Sequence, residues 1–241
     1  IKSEIQNFVA PKRLNYLTNW KDITRMVNDL TSSKFRSSTI KLFGSPLVYS
    51  WFIIDNVGFK KNPRKKTVGF NKILEKYLQI LDNNSKKKDS IGWHFHSIHP
   101  SGNPLIYNTS WTSNDLHEKA LCYKILDYKF FPQIFRSGAL IERNDISLWL
   151  ENLIHFDFSN RSRKRLKNIE YLNDWSGAPS DWTHYNPSFY DFKKKGNMKR
   201  TIFRTLDIDT NSCIIKKKDV DEAFKLSQKK GAILSISTHD R

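Results

Sequence analysis

Strand-like and helix-like patterns alternate along almost the whole chain. The segment LVYSWFII (47–54) is a run of β-branched and aromatic residues between turn-forming residues, as expected of a strand buried on both faces. In the next segment, 69–81, apolar residues recur at the spacing of one helix face. The alternation predicts strands at 14–18, 47–54, 91–97, 132–138, 155–159, 200–209 and 232–240, and helices at 21–30, 69–81, 113–130, 144–153 and 219–231. Because strands separated by helices pair in parallel, we predict an α/β fold, and seven such units predict closure into a barrel.

Length and composition indicate one folded domain. A chain of 241 residues can bury a complete core as a single domain, 1–241. Hydrophobic residues at 38% and aromatic residues at 13% argue against a disordered chain, although charged residues reach 27%. The sequence begins with Ile1 and stops directly after the last predicted strand, which leaves open a truncation at either end.

Cysteine usage and hydropathy favour a cytoplasmic protein without a membrane span. Cys122 and Cys213 match neither a disulfide framework nor a zinc-binding spacing. No stretch approaches the roughly 18 apolar residues that a membrane helix needs, and no signal-peptide pattern opens the sequence. The sequence gives no indication of the oligomeric state.

The formal net charge of +17 raises the question of an anionic partner. Lysine and arginine form five clusters, at 60–66, 86–88, 161–167, 193–195 and 216–218. These clusters are scattered between predicted elements, whereas a nucleic-acid groove more often concentrates basic and aromatic residues on one element. We therefore interpret them as solvated loops and helix ends, with nucleic-acid binding as the less favoured alternative.

Three histidines lie within six positions at the end of the third predicted strand. His94 and His96 are two residues apart, so both side chains point to the same face of a strand. His99 could supply a third nitrogen after the strand ends, and a carboxylate from Asp22 or Asp55 would complete a set suited to zinc. A lone strand histidine is more often structural, but three together at this edge favour a metal site.

Four segments carry a resemblance to a known family. In chain order they are WFII (51–54), IGWHFHSIHP (91–100), FRSG (135–138) and ISTHDR (236–241). Together they resemble the polysaccharide deacetylase (NodB-homology) superfamily over nearly the whole chain. The resemblance implies a distorted (β/α)7 barrel. It also implies a metal-dependent hydrolase that removes acetyl groups from a carbohydrate or polysaccharide precursor, in surface polysaccharide metabolism.

The resemblance also assigns roles to residues. His94 with His96 or His99 would hold a divalent metal, zinc first, with cobalt, nickel or manganese as alternatives. Arg136 would orient the catalytic carboxylate, and His239 would act as the general acid. Neither the sugar nor the choice between N-acetyl and O-acetyl hydrolysis follows from these motifs.

The first strand departs from the family pattern. The family ordinarily ends this strand in two aspartates, whereas the chain reads YLTNWKD with Asn19 at the expected position. An asparagine cannot serve as a carboxylate base, so Asp22 or Asp55 would have to replace it. The alternative is a catalytically inactive, sugar-binding barrel protein.

A long irregular segment, 171–192, is rich in aromatic residues. Its rings could stack on sugar faces, because aromatic side chains combine a large apolar area with a polar tip. The candidates for substrate binding are Trp175, Trp182, His184, Tyr185 and Tyr190. The same rings could instead pack the segment onto the rim of the barrel.

Overall fold

The computed structural model describes residues 20–44, 47–56, 70–82, 89–96, 115–138, 142–160, 175, 177–179, 183–207, 221, 224–226 and 228–237. The chain forms two compact units. The first comprises 1–49, 72–89 and 239–241, and the second comprises 50–71 and 90–238. The single domain expected from the chain length stays a prediction.

The first unit is helical where it is described. Helix α1 spans Trp20–Thr31 and α2 spans Ser33–Phe43, while most of α3 (Phe70–Asp82) also belongs here. Helices α1 and α3 confirm the predictions at 21–30 and 69–81. Helix α2 was not predicted. It begins where the Ser32 side chain accepts the Phe35 amide, and it ends at Gly44, whose φ of 73° is easily adopted only by glycine.

A buried arginine links three parts of the first unit. The Arg36 guanidinium donates to the Leu47 carbonyl at 2.6 Å and to the Asp89 carboxylate at 2.5 Å. It also stacks over the Tyr49 ring at 4.8 Å, and the Tyr49 amide donates to the second carboxylate oxygen of Asp89 at 3.1 Å. One cation therefore faces one carboxylate, and each of the two groups also bonds a backbone group.

The second unit contains a mostly parallel seven-stranded sheet. Its elements are β1 (Ser50–Asn56), β2 (Ser90–Phe95), α4 (Asp115–Leu126), β3 (Ile134–Ser137), α5 (Asn144–Leu150), β4 (Phe156–Asn160), β5 (His184–Tyr185), β6 (Thr201–Asp207) and β7 (Ser235–Ser237). The strand order is β1-β2-β3-β4-β6-β5, and β7 also pairs with β6. All pairs are parallel except β5 with β6. The α/β prediction is therefore confirmed.

Most predicted strands and helices are present, with shifted ends. Six of the seven predicted strands correspond to β1, β2, β3, β4, β6 and β7, while the strand at 14–18 lies outside the described residues. Helix α4 ends at Leu126 rather than at 130, because the chain turns at Lys129, which has a φ of 52°. Helix α5 ends at Leu150 rather than at 153. The helix at 219–231 is described only in part.

One face of the sheet is covered by helices. Trp93 and Phe95 on β2 and Phe135 on β3 pack with Leu121 of α4 and with Ile146 and Leu150 of α5. Burial of such side chains stabilises the fold by about 1.5–3 kcal/mol each relative to exposure. We call this the helix-covered face.

The sheet curls toward its opposite face. The Phe52 ring on β1 lies 5.5 Å from the Phe158 ring on β4, although two strands separate them in the sheet. Three strand spacings in a flat sheet would hold these strands about 14 Å apart. Gly92 makes the approach possible, because a Cβ atom there would lie 2.7 Å from the Phe52 ring. We call this side the concave face; closure into a barrel stays a prediction.

Among the described residues, no helix combines the length and the apolar character that crossing a bilayer requires.

Candidate functional site

Two histidines meet on the concave face at the carboxyl end of β2. His94 is buried, and its Nδ1 lies 2.8 Å from the Arg136 carbonyl oxygen on β3. A carbonyl oxygen only accepts hydrogen bonds, so His94 carries a proton on Nδ1. In the neutral ring, Nε2 then carries the lone pair that can accept a hydrogen bond or bind a metal ion. The Nε2 atom of His96 lies 3.2 Å away.

The separation of the two Nε2 atoms fits a shared metal ion. Zinc binds imidazole nitrogen at about 2.0–2.1 Å, so two nitrogens at a tetrahedral angle lie about 3.3 Å apart. The Nδ1 hydrogen bond of His94 to a backbone carbonyl is the outer contact that metal-binding histidines typically make. The same geometry also suits a hydrogen bond in which His96 donates its Nε2 proton to His94.

Four of the predicted ligands and catalytic groups fall outside the described part of the chain. His99 and His239 lie outside the described residues, and so do the side chains of Asp22 and Asp55. Within the described part of the chain, no group of three His, Cys, Asp or Glu side chains converges on one point. The histidine pair is therefore the part of the predicted metal site whose geometry can be measured.

The FRSG segment supports both histidines. Arg136 is paired with His94 in the β2–β3 register and supplies the carbonyl that fixes its ring. Gly138 lies against His96, since a Cβ atom at Gly138 would be 2.4 Å from the imidazole ring and 2.6 Å from the His96 Cα. Only glycine can occupy this position without displacing His96. The orienting role predicted for the Arg136 guanidinium stays a prediction.

Behind this segment, a chain of buried hydrogen bonds runs from β3 to β4 and β6. The Ser137 amide donates to the Ser159 hydroxyl at 2.8 Å, and the Ser159 amide donates to Asp157 Oδ1 at 2.7 Å. Asp157 Oδ2 is held by the Arg200 guanidinium at 2.5 Å. Asp157 pairs with Phe135 and so belongs to the helix-covered face.

Arg200 is shared by two carboxyl groups. It also lies 3.2 Å from Glu142, and all three side chains are fully buried. Burial raises the pKa of Glu142 well above its ordinary value, and the nearby charge of Asp157 raises it further, while Arg200 opposes both effects. Glu142 therefore holds its proton to a higher pH than an ordinary glutamate, and the cluster carries one positive and one negative charge while that proton is bound.

The aromatic segment 171–192 contributes mainly to packing where it is described. Trp175 and Tyr185 are buried against Phe192 and Ile202, and the Tyr185 hydroxyl donates to the Phe192 carbonyl. Almost no surface of the Trp175 and Tyr185 rings is open to a sugar, so the packing alternative fits both residues. Trp182 lies outside the described residues.

Two candidates from the same segment differ from these. His184 is half-buried on β5, where its ring lies 5.7 Å from Phe203 and its Nδ1 lies 3.2 Å from the Thr183 hydroxyl. Tyr190 is 90% exposed. Both keep ring surface that a ligand could contact.

The sequence indicated Asp157 as a polar residue at the end of a predicted strand, but not its partners behind the site. Asp157 and Ser159 alternate with phenylalanines in FDFSN. Two polar residues on the helix-facing side of a strand could have signalled a buried network. Arg200 and Glu142 gave no local signal, because they lie far from Asp157 in sequence.

No protein-family model matches the chain, and neither a curated protein nor a solved structure is similar enough to count as a match. The resemblance to polysaccharide deacetylases therefore rests on the quoted motifs alone.

Proposed function

We propose that the protein is a metal-dependent hydrolase that removes acetyl groups from a carbohydrate, on a distorted (β/α)7 barrel of the polysaccharide deacetylase type. The supporting observation is the histidine pair. Its two Nε2 atoms lie 3.2 Å apart, and His94 is fixed in the tautomer that leaves Nε2 available. A pair held this way from the backbone suits a divalent metal, zinc first.

The chain's own residues supply the rest of the reaction. When bound, a divalent ion would polarise the acetyl carbonyl and make water a better acid near neutral pH. His94 and His96 would hold the ion, with His99 as a further candidate. The carboxylate of Asp22 or Asp55 takes the proton of the attacking water. His239 donates a proton to the departing amine or alkoxide, while Arg136 orients the carboxylate.

The concave face carries a row of aromatic rings. Phe158 and Phe203 stack nearly parallel with ring centroids 4.6 Å apart, and Phe52 and His184 continue the row at either end. Phe203 is buried, so the half-buried rings of the row are the ones that suit the apolar face of a sugar. The row also favours a second candidate function, a catalytically inactive sugar-binding protein, because stacking needs no metal.

Metal content tests the proposal. We expect near-stoichiometric zinc, cobalt, nickel or manganese in the purified full chain. His94→Ala should lose it, and so should either His96→Ala or His99→Ala. His155→Ala is the matched control, because His155 is an exposed histidine just before β4 and should keep full occupancy. No metal in the wild-type chain, even after each ion is added back, would eliminate the hydrolase mechanism and leave the sugar-binding alternative.

Activity then defines the substrate. We expect acetate release from acetylated oligosaccharides, with loss in His94→Ala and retention in His155→Ala. Parallel substrates with an N-acetyl or an O-acetyl group would identify the bond that is cleaved. Stoichiometric metal with no acetate released from either substrate class would contradict deacetylation.

A further inference from the structure

The end of β3 sets the position of both histidines. The Arg136 carbonyl holds the His94 ring, and Gly138 packs against His96. Any shift of residues 136–138 along or across the sheet would therefore change the separation of the two Nε2 atoms. The position of this short segment depends on what fixes it to the next strand.

The backbone pairs Arg136 and Ser137 with β2, whereas on the β4 side a side chain fixes the segment. The β3–β4 pairing runs from Ile134 opposite Phe156 to Phe135 opposite Asp157. Beyond that point, the buried Ser137 amide donates to the Ser159 hydroxyl at 2.8 Å. A buried amide that loses its acceptor costs about 1–3 kcal/mol, so this hydroxyl holds Ser137 firmly.

A bulge in β4 contains Ser159 and orients its hydroxyl toward Ser137. Between the pairs Asp157 with Ile202 and Asn160 with Arg204, β4 advances three residues while β6 advances two. Bulges of this kind redirect side chains near functional sites. Here Asp157 Oδ1 accepts the Ser159 amide at 2.7 Å inside the bulge, and Arg200 immobilises the other carboxylate oxygen at 2.5 Å.

We propose that Asp157 and Ser159 are positioning residues for the histidine pair, because Asp157 shapes the β4 bulge and Ser159 thereby holds the 136–138 segment on which both imidazoles rest. Because the role concerns a metal site, it rests on the proposed function. Both residues would act through the 136–138 segment, and not as ligands of the metal or the substrate. Loss of an outer contact of this type typically weakens metal binding by about tenfold or more.

Ser159→Ala is the test variant, and Ser147→Ala is its matched control. Ser147 on α5 is also a buried serine. Its hydroxyl has no hydrogen-bond partner among the described residues. Two measurements on the full chain are compared. The first is a Co²⁺ titration followed by visible absorption. The second is the ¹⁵N spectrum of the His94 and His96 ring nitrogens without metal.

We expect Ser159→Ala to weaken Co²⁺ binding about tenfold and to move the His94 and His96 ring signals, while Ser147→Ala changes neither. If Ser159 only stabilises the fold, Ser159→Ala lowers the unfolding temperature but leaves the ring signals of the folded protein unchanged. That result would overturn the positioning role.

Failure of the proposed function remains distinguishable. If the wild-type chain binds no Co²⁺, the metal site fails, and the ring spectra alone decide the positioning role. If the wild-type chain binds Co²⁺ and Ser159→Ala binds it equally well, the positioning role fails while the metal site stands. Should Ser159→Ala not fold, Ser159→Cys keeps the side-chain volume with a weaker acceptor and is expected to show the same changes at smaller size.

Discussion

Two buried arginines of this protein sit in different electrostatic surroundings. Arg36, in the first unit, faces the single carboxylate of Asp89, a backbone carbonyl and the Tyr49 ring. Arg200, in the second unit, faces the two carboxyl groups of Asp157 and Glu142. The first arrangement is balanced by one pair of opposite charges. The second places two buried carboxyl groups beside one cation, and the pKa of Glu142 is raised well above its ordinary value.

Replacing either arginine should give the largest losses in the free energy of unfolding, and the two losses should differ. We expect Arg200→Met to lower the free energy of unfolding by about 3–5 kcal/mol, because two fully buried carboxyl groups lose the cation that they share. Arg36→Met should cost less, since a single carboxylate is left and it keeps the Tyr49 amide. Urea unfolding of both variants measures the difference. Equal losses would show that the second carboxyl group has no energetic consequence.

The raised pKa of Glu142 predicts that the folded protein loses stability as the pH rises. The pKa of Glu142 is raised in the folded protein, so the fold retains a proton that the unfolded chain has already lost. Stability therefore falls as the pH rises above the ordinary glutamate pKa, by at most about 1.4 kcal/mol per pH unit, until the folded pKa is passed.

Glu142→Gln should remove this fall, because glutamine resembles the protonated acid and does not titrate. Thermal unfolding from pH 4 to pH 9 measures the profile. Glu118→Gln on α4 is the control, since Glu118 is exposed. A Glu142→Gln profile that still falls as steeply as the wild-type profile would assign the proton to another group.

An ion pair on the surface should contribute least to the free energy of unfolding. It serves as the reference for the buried pairs of Arg36 and Arg200. Lys194 lies 3.6 Å from Asp191, and 76% of the lysine side chain is exposed. Because water screens such a pair, Lys194→Ala should change the free energy of unfolding by no more than about 0.5 kcal/mol. Urea unfolding at low and at high salt checks this. A loss comparable to that of Arg36→Met would mean that exposure is a poor guide to electrostatics in this chain.

Local patterns predicted the elements well where burial decides structure. The run of β-branched and aromatic residues at 47–54 predicted β1, and the spacing of two between His94 and His96 predicted that both rings share a face. Helix α2 escaped prediction because its apolar residues are few, although the Ser32 cap was present as a signal. At the start of α5, the Asn144 side chain bonds the backbone of Tyr190 and Phe192, which no local pattern indicates.

Contacts between distant residues could not be predicted in this way. Arg200 meets Asp157 and Glu142 across 43 and 58 residues of sequence, and no periodicity encodes such a meeting. The burial of Trp175 and Tyr185 was equally hidden, because an aromatic residue in an irregular segment suits a ligand surface and a core alike. Whether such a ring is buried or exposed to a ligand depends on packing partners from other parts of the chain.

The strand β6 has two short partners besides β4. β5 pairs antiparallel with Phe203 and Ile202, and β7 pairs parallel with Thr205–Asp207. Exposed strand edges are the places where proteins add a strand from a neighbouring molecule and begin to aggregate. Each of these short partners covers part of β6 with backbone pairing and thereby shortens the edge that is open to such intermolecular growth.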